Sequence, residues 1–214
     1  MKPRIASALL LFSVAFAQGC CGPMLAQVQQ FNNAALPDLA RMLPNLAVVT
    51  PVLVRGGQPT QEGLLLLKNS GVKTIVDLRN EEDIVNRESR AARQLGLGFE
   101  NIPMDVFNEP SEATITRFLK IVNDPEKQPV YVHCLHGQDR TGTMVAIYRL
   151  QDQGWRAEQA YQEMLNHGFR AGLVRLSDAV FDWAQRLGRP GARPSASFIL
   201  NDIRQRLSSL VNKN

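Results

Sequence analysis

A marked charge excess is missing from this chain. Its 24 Lys and Arg stand against 20 Asp and Glu, a formal net charge of +4. Loss of Lys2 and Arg4 with a cleaved leader would lower the excess to about +2. No basic run interleaves with aromatic residues, which argues against a nucleic-acid partner. Repeats and low-complexity tracts are also absent, so the 214 residues fit one domain with appendages. No apolar run is long enough for a comfortable membrane span. The longest, Ile5 to Ala17, has 13 residues behind the basic cluster Met1 to Arg4 and ends in Ala15-Phe16-Ala17. A basic start, an uncharged apolar stretch and small residues at the end make an export signal.

Residues 1–26 are therefore expected to be the signal, cut after Ala17 or Ala26, with a periplasmic or secreted product. "AQGC" also offers a lipoprotein-type reading, in which Cys20 carries a lipid anchor. Cysteine is scarce: Cys20, Cys21 and Cys134 are the only three. After a cut at Ala26, Cys134 has no partner within the chain. A lone thiol kept in an oxidising compartment suggests chemistry rather than a staple.

What the chain does have is an alternation of strand and helix signals. A Pro-punctuated lead spans 27–51. "VLVRGGQP" reads as a strand entering a turn, and "TQEGLLLLKNSG" as a helix stopping at Gly71. "VKTIVDLR" is β-branched and strand-like, and "EEDIVNRESRAARQLG" is a helix with acids first and arginines later. "FENIPM" is a short strand, "DVFNEP" a loop, and "SEATITRFLKIVN" a helix capped by Ser111. "PVYVHC" is a strand apolar enough to be buried on both faces, followed by the helix "TGTMVAIYRLQDQG" and two more helices to Leu187. The expected fold is α/β, with a central, largely parallel sheet of four to five strands flanked by helices, over 52–187. Residues 188–214 read as a breaker-rich linker and an amphipathic helix. Its Ile199, Ile203, Leu207 and Leu210 suit docking on the core better than a partner-binding role.

The chemistry concentrates in "YVHCLHGQDRTG", where a buried strand ends at Cys134 and a helix begins near Thr141. Active sites in open α/β sheets lie at the carboxyl ends of strands, and a helix N-terminus offers unpaired N–H groups. A loop wrapped around that point makes an anion nest. Gly137 supplies a backbone conformation closed to other residues, and Arg140 supplies a planar fork for two phosphate oxygens. Cys134 at the floor feels the same field, which lowers a thiol pKa, and a thiolate there can attack phosphorus without a metal. A metal site built from His133, Cys134, His136 and Asp139 fits no common zinc spacing and would put Arg140 beside the cation.

"HCLHGQDRTG" resembles the H-C-x-x-G-x-x-R-[S/T] loop of the cysteine-based protein tyrosine and dual-specificity phosphatases. A chance match is of order 10⁻⁷ per starting position. "RGGQPTQEGLLLLKNSGVKTIVDLRNEED" is similar to the N-terminal half of the compact, atypical members. The resemblance implies that His133 orients and tunes the thiolate, Cys134 is the nucleophile, Arg140 binds phosphate, and the Thr141 hydroxyl helps the thiolate leave. Leu135, His136, Gly137 and Gln138 would line the substrate pocket, and no cofactor is called for. It further implies a general acid on a loop about thirty residues before the cysteine. Asp105 lies 29 residues upstream, with Glu109 as the reserve, and Asp139 in "DRTG" as a rival inside the loop. Arg79 is expected to hold the acid loop, and Arg55, Lys73, Arg79, Arg87 and Arg90 to be candidates for a basic rim.

The implied reaction is hydrolysis of phosphate monoesters through a phosphocysteine. The substrate would be a phosphorylated protein or peptide, or an inositol phosphate. Two other readings compete: a phosphate-binding module without turnover, and a sulfur transferase of the rhodanese kind. The intact Cys134, Arg140 and Thr141 weigh against the first, and the longer loop with its closing arginine against the second.

Overall fold

The computed structural model describes residues 36–211; the expected signal and Cys20 lie outside them. Five strands, β1 (Ala47–Thr50), β2 (Leu53–Gly56), β3 (Thr74–Asp77), β4 (Gly98–Asn101) and β5 (Val130–His133), form one sheet in the order β1-β2-β5-β3-β4. β1 and β2 pair antiparallel and every other pair is parallel. Eight helices accompany them among the described residues: α1 (Leu36–Met42), α2 (Gln61–Asn69), α3 (Glu82–Gln94), α4 (Glu112–Val122), α5 (Asp139–Gln153), α6 (Ala157–Asn166), α7 (Val174–Arg186) and α8 (Ala196–Val211). No helix among these residues is long and apolar enough to cross a membrane.

Alternation along the strands sorts the core into two halves. Leu53, Val76, Val130 and Val132 face α4, α5, α6 and α7, while Val54, Ile75 and Tyr131 face α1, α2 and α3. The central strand β5 is buried at every residue, as its continuous apolar run requires. The helix that follows it is nearly as enclosed: Asp139 through Leu150 of α5 are all buried. Helix boundaries follow the local chemistry. Thr60 accepts from the Gly63 N–H at the start of α2, Ser111 accepts from the Thr114 N–H at the start of α4, and Gly154 closes α5 in the left-handed region.

Two differences from the sequence reading concern the ends. The stretch expected as a lead contributes α1 and the edge strand β1, with Leu39, Leu43 and Val49 in the core. Four residues bounded by Pro51 carry too little pattern to announce a strand. The C-terminal helix rests on the 169–172 loop through an Asp202 carboxylate that accepts from the Ala171 N–H (3.2 Å) and an Arg206 guanidinium that donates to the Phe169 carbonyl (2.7 Å). No residue of α8 is buried, and Leu200, Leu207 and Leu210 remain exposed.

Candidate active site

Three parallel strands end in one layer. Gly56 of β2 and Asp77 of β3 both stand opposite His133 of β5, so the loops leaving these strands meet above the sheet edge. The strand order reverses at this point: the chain steps from β2 over β5 to β3, and returns to β5 only after β4. Crevices at such switch points are where open α/β sheets bind ligands.

Cys134 is the first residue past β5 and is 3% exposed. Burial pushes its thiol up. Hydrogen bonds from the Thr141 hydroxyl and N–H, the Arg140 charge and the Gly137 N–H outweigh burial and hold the thiol below its ordinary value. Donors at a helix start favour the thiolate form of a sulfur placed among them. Gly137 has φ +71°, and a Cβ there would lie 2.4 Å from the Gly56 carbonyl carbon, so both backbone freedom and close approach demand glycine. The loop backbone is tied to the β2–α2 turn, where the Gln58 N–H donates to the Leu135 carbonyl (3.0 Å). Thr141 is fully buried, with its Oγ1 3.5 Å from the Gly56 carbonyl.

Arg140 is buried and reaches out of α5 toward the β3–α3 and β4–α4 loops. Its Nη1 lies 3.4 Å from both the Asn80 side-chain oxygen and the Met104 carbonyl, and 3.9 Å from Glu81. Met104 directly precedes Asp105, so the residue before the expected acid lies against Arg140. The Asp105 carboxylate is exposed and accepts from the Phe107 N–H (2.7 Å) and the Asn108 amide (3.0 Å). Glu109 is turned aside to Arg175 (3.1 Å). Asp139 is buried and bound on two edges by Arg170: Oδ2 accepts from Nη2 (2.7 Å) and Nε (3.0 Å), and Oδ1 from the Arg170 N–H (3.0 Å). Leu135 and His136 stand exposed at the lip, and Gln138 is half-buried against Gly168.

His133 is fully buried under the loop. Its Nδ1 lies 3.2 Å from the Cys134 carbonyl and its Nε2 2.7 Å from Glu88 of α3. Burial alone would lower the imidazole pKa. The Glu88 charge and hydrogen bond, helped by Asp77, overcome it and raise the value above the ordinary one, with Arg79 opposing. Arg79 joins the two acids, with Nη2 2.7 Å from Asp77 and 2.5 Å from Glu88. Asp77, Arg79, Glu88 and His133 thus form a buried chain in which acidic and basic side chains alternate.

Three of the five basic residues expected at the rim stand elsewhere. Arg55 and Arg79 are buried, and Lys73 precedes β3 at the end of the sheet away from the loop. Arg87 and Arg90 lie on α3. Arg79 serves the buried chain, although its carbonyl, together with that of Asp77, accepts from the Asn101 amide. The candidate metal ligands are separately engaged: His133 faces Glu88, Asp139 faces Arg170, and His136 is exposed. Glu88, Asn80 and Asn45 contact the site without having been singled out for it, and Arg55, expected at the rim, reaches it from the interior. Each acts through a tertiary contact that no local spacing encodes.

A thiolate nest of backbone N–H groups closed by an arginine, at the end of a parallel strand, defines the cysteine-dependent phosphatase class. The chain belongs to the family described as DSP-PTPase phosphatase fused to NAD+ Kinase, which matches residues 40–182. It spans about a tenth of the length of the chloroplastic NAD kinase 2 proteins it matches; the one from Arabidopsis thaliana is 41% identical over 99 residues, 44% of this chain and 10% of the relative. The dual specificity protein phosphatase TpbA of Pseudomonas aeruginosa is 32% identical over 75% of this chain and 72% of its own. The crystal structure of a TpbA cysteine-to-serine form in complex with pTyr superimposes with a TM-score of 0.57 at 26% identity, covering 68% of this chain and 90% of that one. Inositol diphosphatase DSP4 of Arabidopsis thaliana is 31% identical over 64% of this chain and 69% of its own.

Proposed function

We propose that this protein hydrolyses phosphate monoesters through a phosphocysteine, with phosphotyrosine or mixed phosphoprotein specificity. The observation that carries the reading is the Cys134 sulfur, which accepts from the N–H groups of Gly137 and Thr141 with Arg140 alongside, so that its thiol is held below the ordinary value. The thiolate attacks phosphorus in line while Arg140 and the loop N–H groups neutralise the equatorial oxygens. The S–P bond forms, the P–O bond to the leaving group breaks, and Asp105 gives its proton to the departing oxygen. Water then attacks phosphorus. Asp105 takes its proton, and the Thr141 hydroxyl stabilises the departing thiolate. Asp139 is a poor donor in comparison, because Arg170 occupies its carboxylate on both oxygens. His133 and Glu88 work behind the loop, where no substrate reaches.

The pocket suits a single phosphate. Its loop has no lysine, only the exposed His136 could add charge, and the apolar Leu135 of the same loop is exposed. These features favour an aromatic or peptide phosphate over an inositol polyphosphate, and the TpbA likeness points the same way. The DSP4 likeness supports the inositol phosphate alternative. Phosphate release in excess EDTA, from a phosphotyrosine peptide and from inositol hexakisphosphate, separates the two, with Cys134→Ser as the blank. Faster release from the peptide supports the reading; faster release from the inositol ester replaces it with the alternative. Equal release from the Cys134→Ser protein would remove the mechanism altogether.

Export belongs to the same proposal, resting on Met1 to Ala26 of the sequence. Fractionation of a tagged full-length chain should find it outside the cytoplasm. Recovery with the membranes, lost on Cys20→Ala, would identify the lipoprotein form.

A further inference from the structure

One carbonyl in the phosphate loop is held from below by two side chains. The Gly137 oxygen accepts from the Arg55 Nη2 at 2.8 Å and from the Asn45 Nδ2 at 3.0 Å. Asn45 reaches it from the α1–β1 turn, in a left-handed conformation (φ 52°) uncommon outside glycine, and its amide also donates to the His167 carbonyl at 2.9 Å. Because a peptide unit is planar and trans, pinning the Gly137 carbonyl toward Arg55 turns the Gln138 N–H the opposite way. The preceding peptide unit of the same glycine places the Gly137 N–H on the Cys134 sulfur.

Arg55 itself is an oddity of the interior. It is 0% exposed, yet its Nε and Nη1 have no hydrogen-bond partner among the described residues. Burial lowers its pKa to about 10, with Glu163 and Cys134 raising it and Arg149 lowering it further, so it is charged at neutral pH. Glu163 offers limited compensation, because both its oxygens are taken by Arg149 at 2.6 and 3.0 Å. A buried cation with unpaired donors is expensive unless an anion answers it. The groups facing it are Cys134 and Tyr131 of the central strand and loop, Arg149 of α5, Glu163 of α6 and the neighbouring His167. Among these, the thiolate is the anion that the chemistry makes and consumes.

We propose that Arg55 and Asn45 are positioning residues, clamping the Gly137 carbonyl so that the loop stays open to a dianion, with Arg55 adding a fixed positive charge beneath it. The proposal rests on the phosphocysteine reading and deepens it. The clamp acts through the loop backbone and the field at Cys134, and neither side chain touches substrate.

The test measures orthovanadate affinity and the pH dependence of Cys134 alkylation by iodoacetate. The proteins are the wild type, Asn45→Gly, Arg55→Lys and Arg55→Met. Asn45→Gly keeps the backbone conformation and removes only the amide, so it carries the test if Arg55→Met fails to fold. Arg55→Lys keeps the charge and loses the fork. Vanadate affinity should fall about tenfold in Asn45→Gly and Arg55→Lys, and the thiol pKa should rise in Arg55→Met. A merely structural role would lower Tm and leave both readouts at the wild-type value; that result in folded variants overturns the proposal. Failure of the phosphocysteine reading looks different, because vanadate would then not protect Cys134 even in the wild type.

Discussion

Replacing Glu88 by Gln should cost more stability at pH 6 than at pH 8.5. Glu88 lies close to both basic members of the buried chain, Arg79 at 2.5 Å and His133 at 2.7 Å. Arg79 keeps Asp77 after the change, through contacts of 2.7–3.2 Å. His133 keeps only Asp77, at 4.0 Å. Removing one partner of a buried pair costs about 3–5 kcal/mol, and an amide that still accepts hydrogen bonds puts this case near 3. The pH dependence follows from the direction of the His133 shift. Its folded pKa lies above 6.5, so its contribution is complete below 6.5 and is lost as pH rises through the folded value. Each unit of that elevation is worth about 1.4 kcal/mol, and the neutral amide would remove most of it. Cys134 runs the other way, since its lowered pKa gives stability that is complete above the ordinary thiol value and fades as pH falls. The comparison therefore belongs in a Cys134→Ser background. Urea unfolding followed by the fluorescence of the two tryptophans, Trp155 and Trp183, reads it directly. A loss from Glu88→Gln that is equal at both pH values would mean that His133 is not charged. A loss below about 1 kcal/mol would mean that the chain of buried charges does not stabilise the fold.

Asp105→Asn should slow hydrolysis of alkyl phosphates far more than of esters with good leaving groups, by about 10²-fold or more; if Asp139→Asn shows that pattern instead, the acid has been misassigned. Asp139→Asn should chiefly loosen the tie to Arg170, seen as a lower Tm with an unchanged leaving-group dependence. Phe118→Ala, at a fully buried position of α4, should cost about 3–5 kcal/mol in urea unfolding; a cost under about 1 kcal/mol would contradict the packing of α4 against the sheet.

Much of this was legible in the sequence because it is local. The apolar run of β5, the glycine at 137 and the cap at Ser111 each state their structure within a few residues. Cys134, Arg140 and Thr141 were readable for the same reason, since one loop and one helix start bring them together. Arg55 is readable as a basic residue but not as a buried one, because its burial depends on β2 lying beside β5, a pairing across 77 positions. Glu88 looks like any polar position of α3, and Asn45 lies in a stretch that reads as a lead. The edge strand β1 is four residues long and ends against Pro51, too short for a period of two to stand out.

The 169–172 loop has a consequence for where the working unit ends. Arg170 leaves this loop to grip Asp139 at the head of α5, while Asp202 and Arg206 of α8 hold the backbone on either side of it, at Ala171 and Phe169. The stretch is an abutment wedged between the phosphate loop and the last helix. A fragment trimmed at Leu187, where the strand-and-helix pattern stops, would keep every reacting atom and lose one wall of that wedge. The smallest faithful version of the folded unit therefore extends through Arg206.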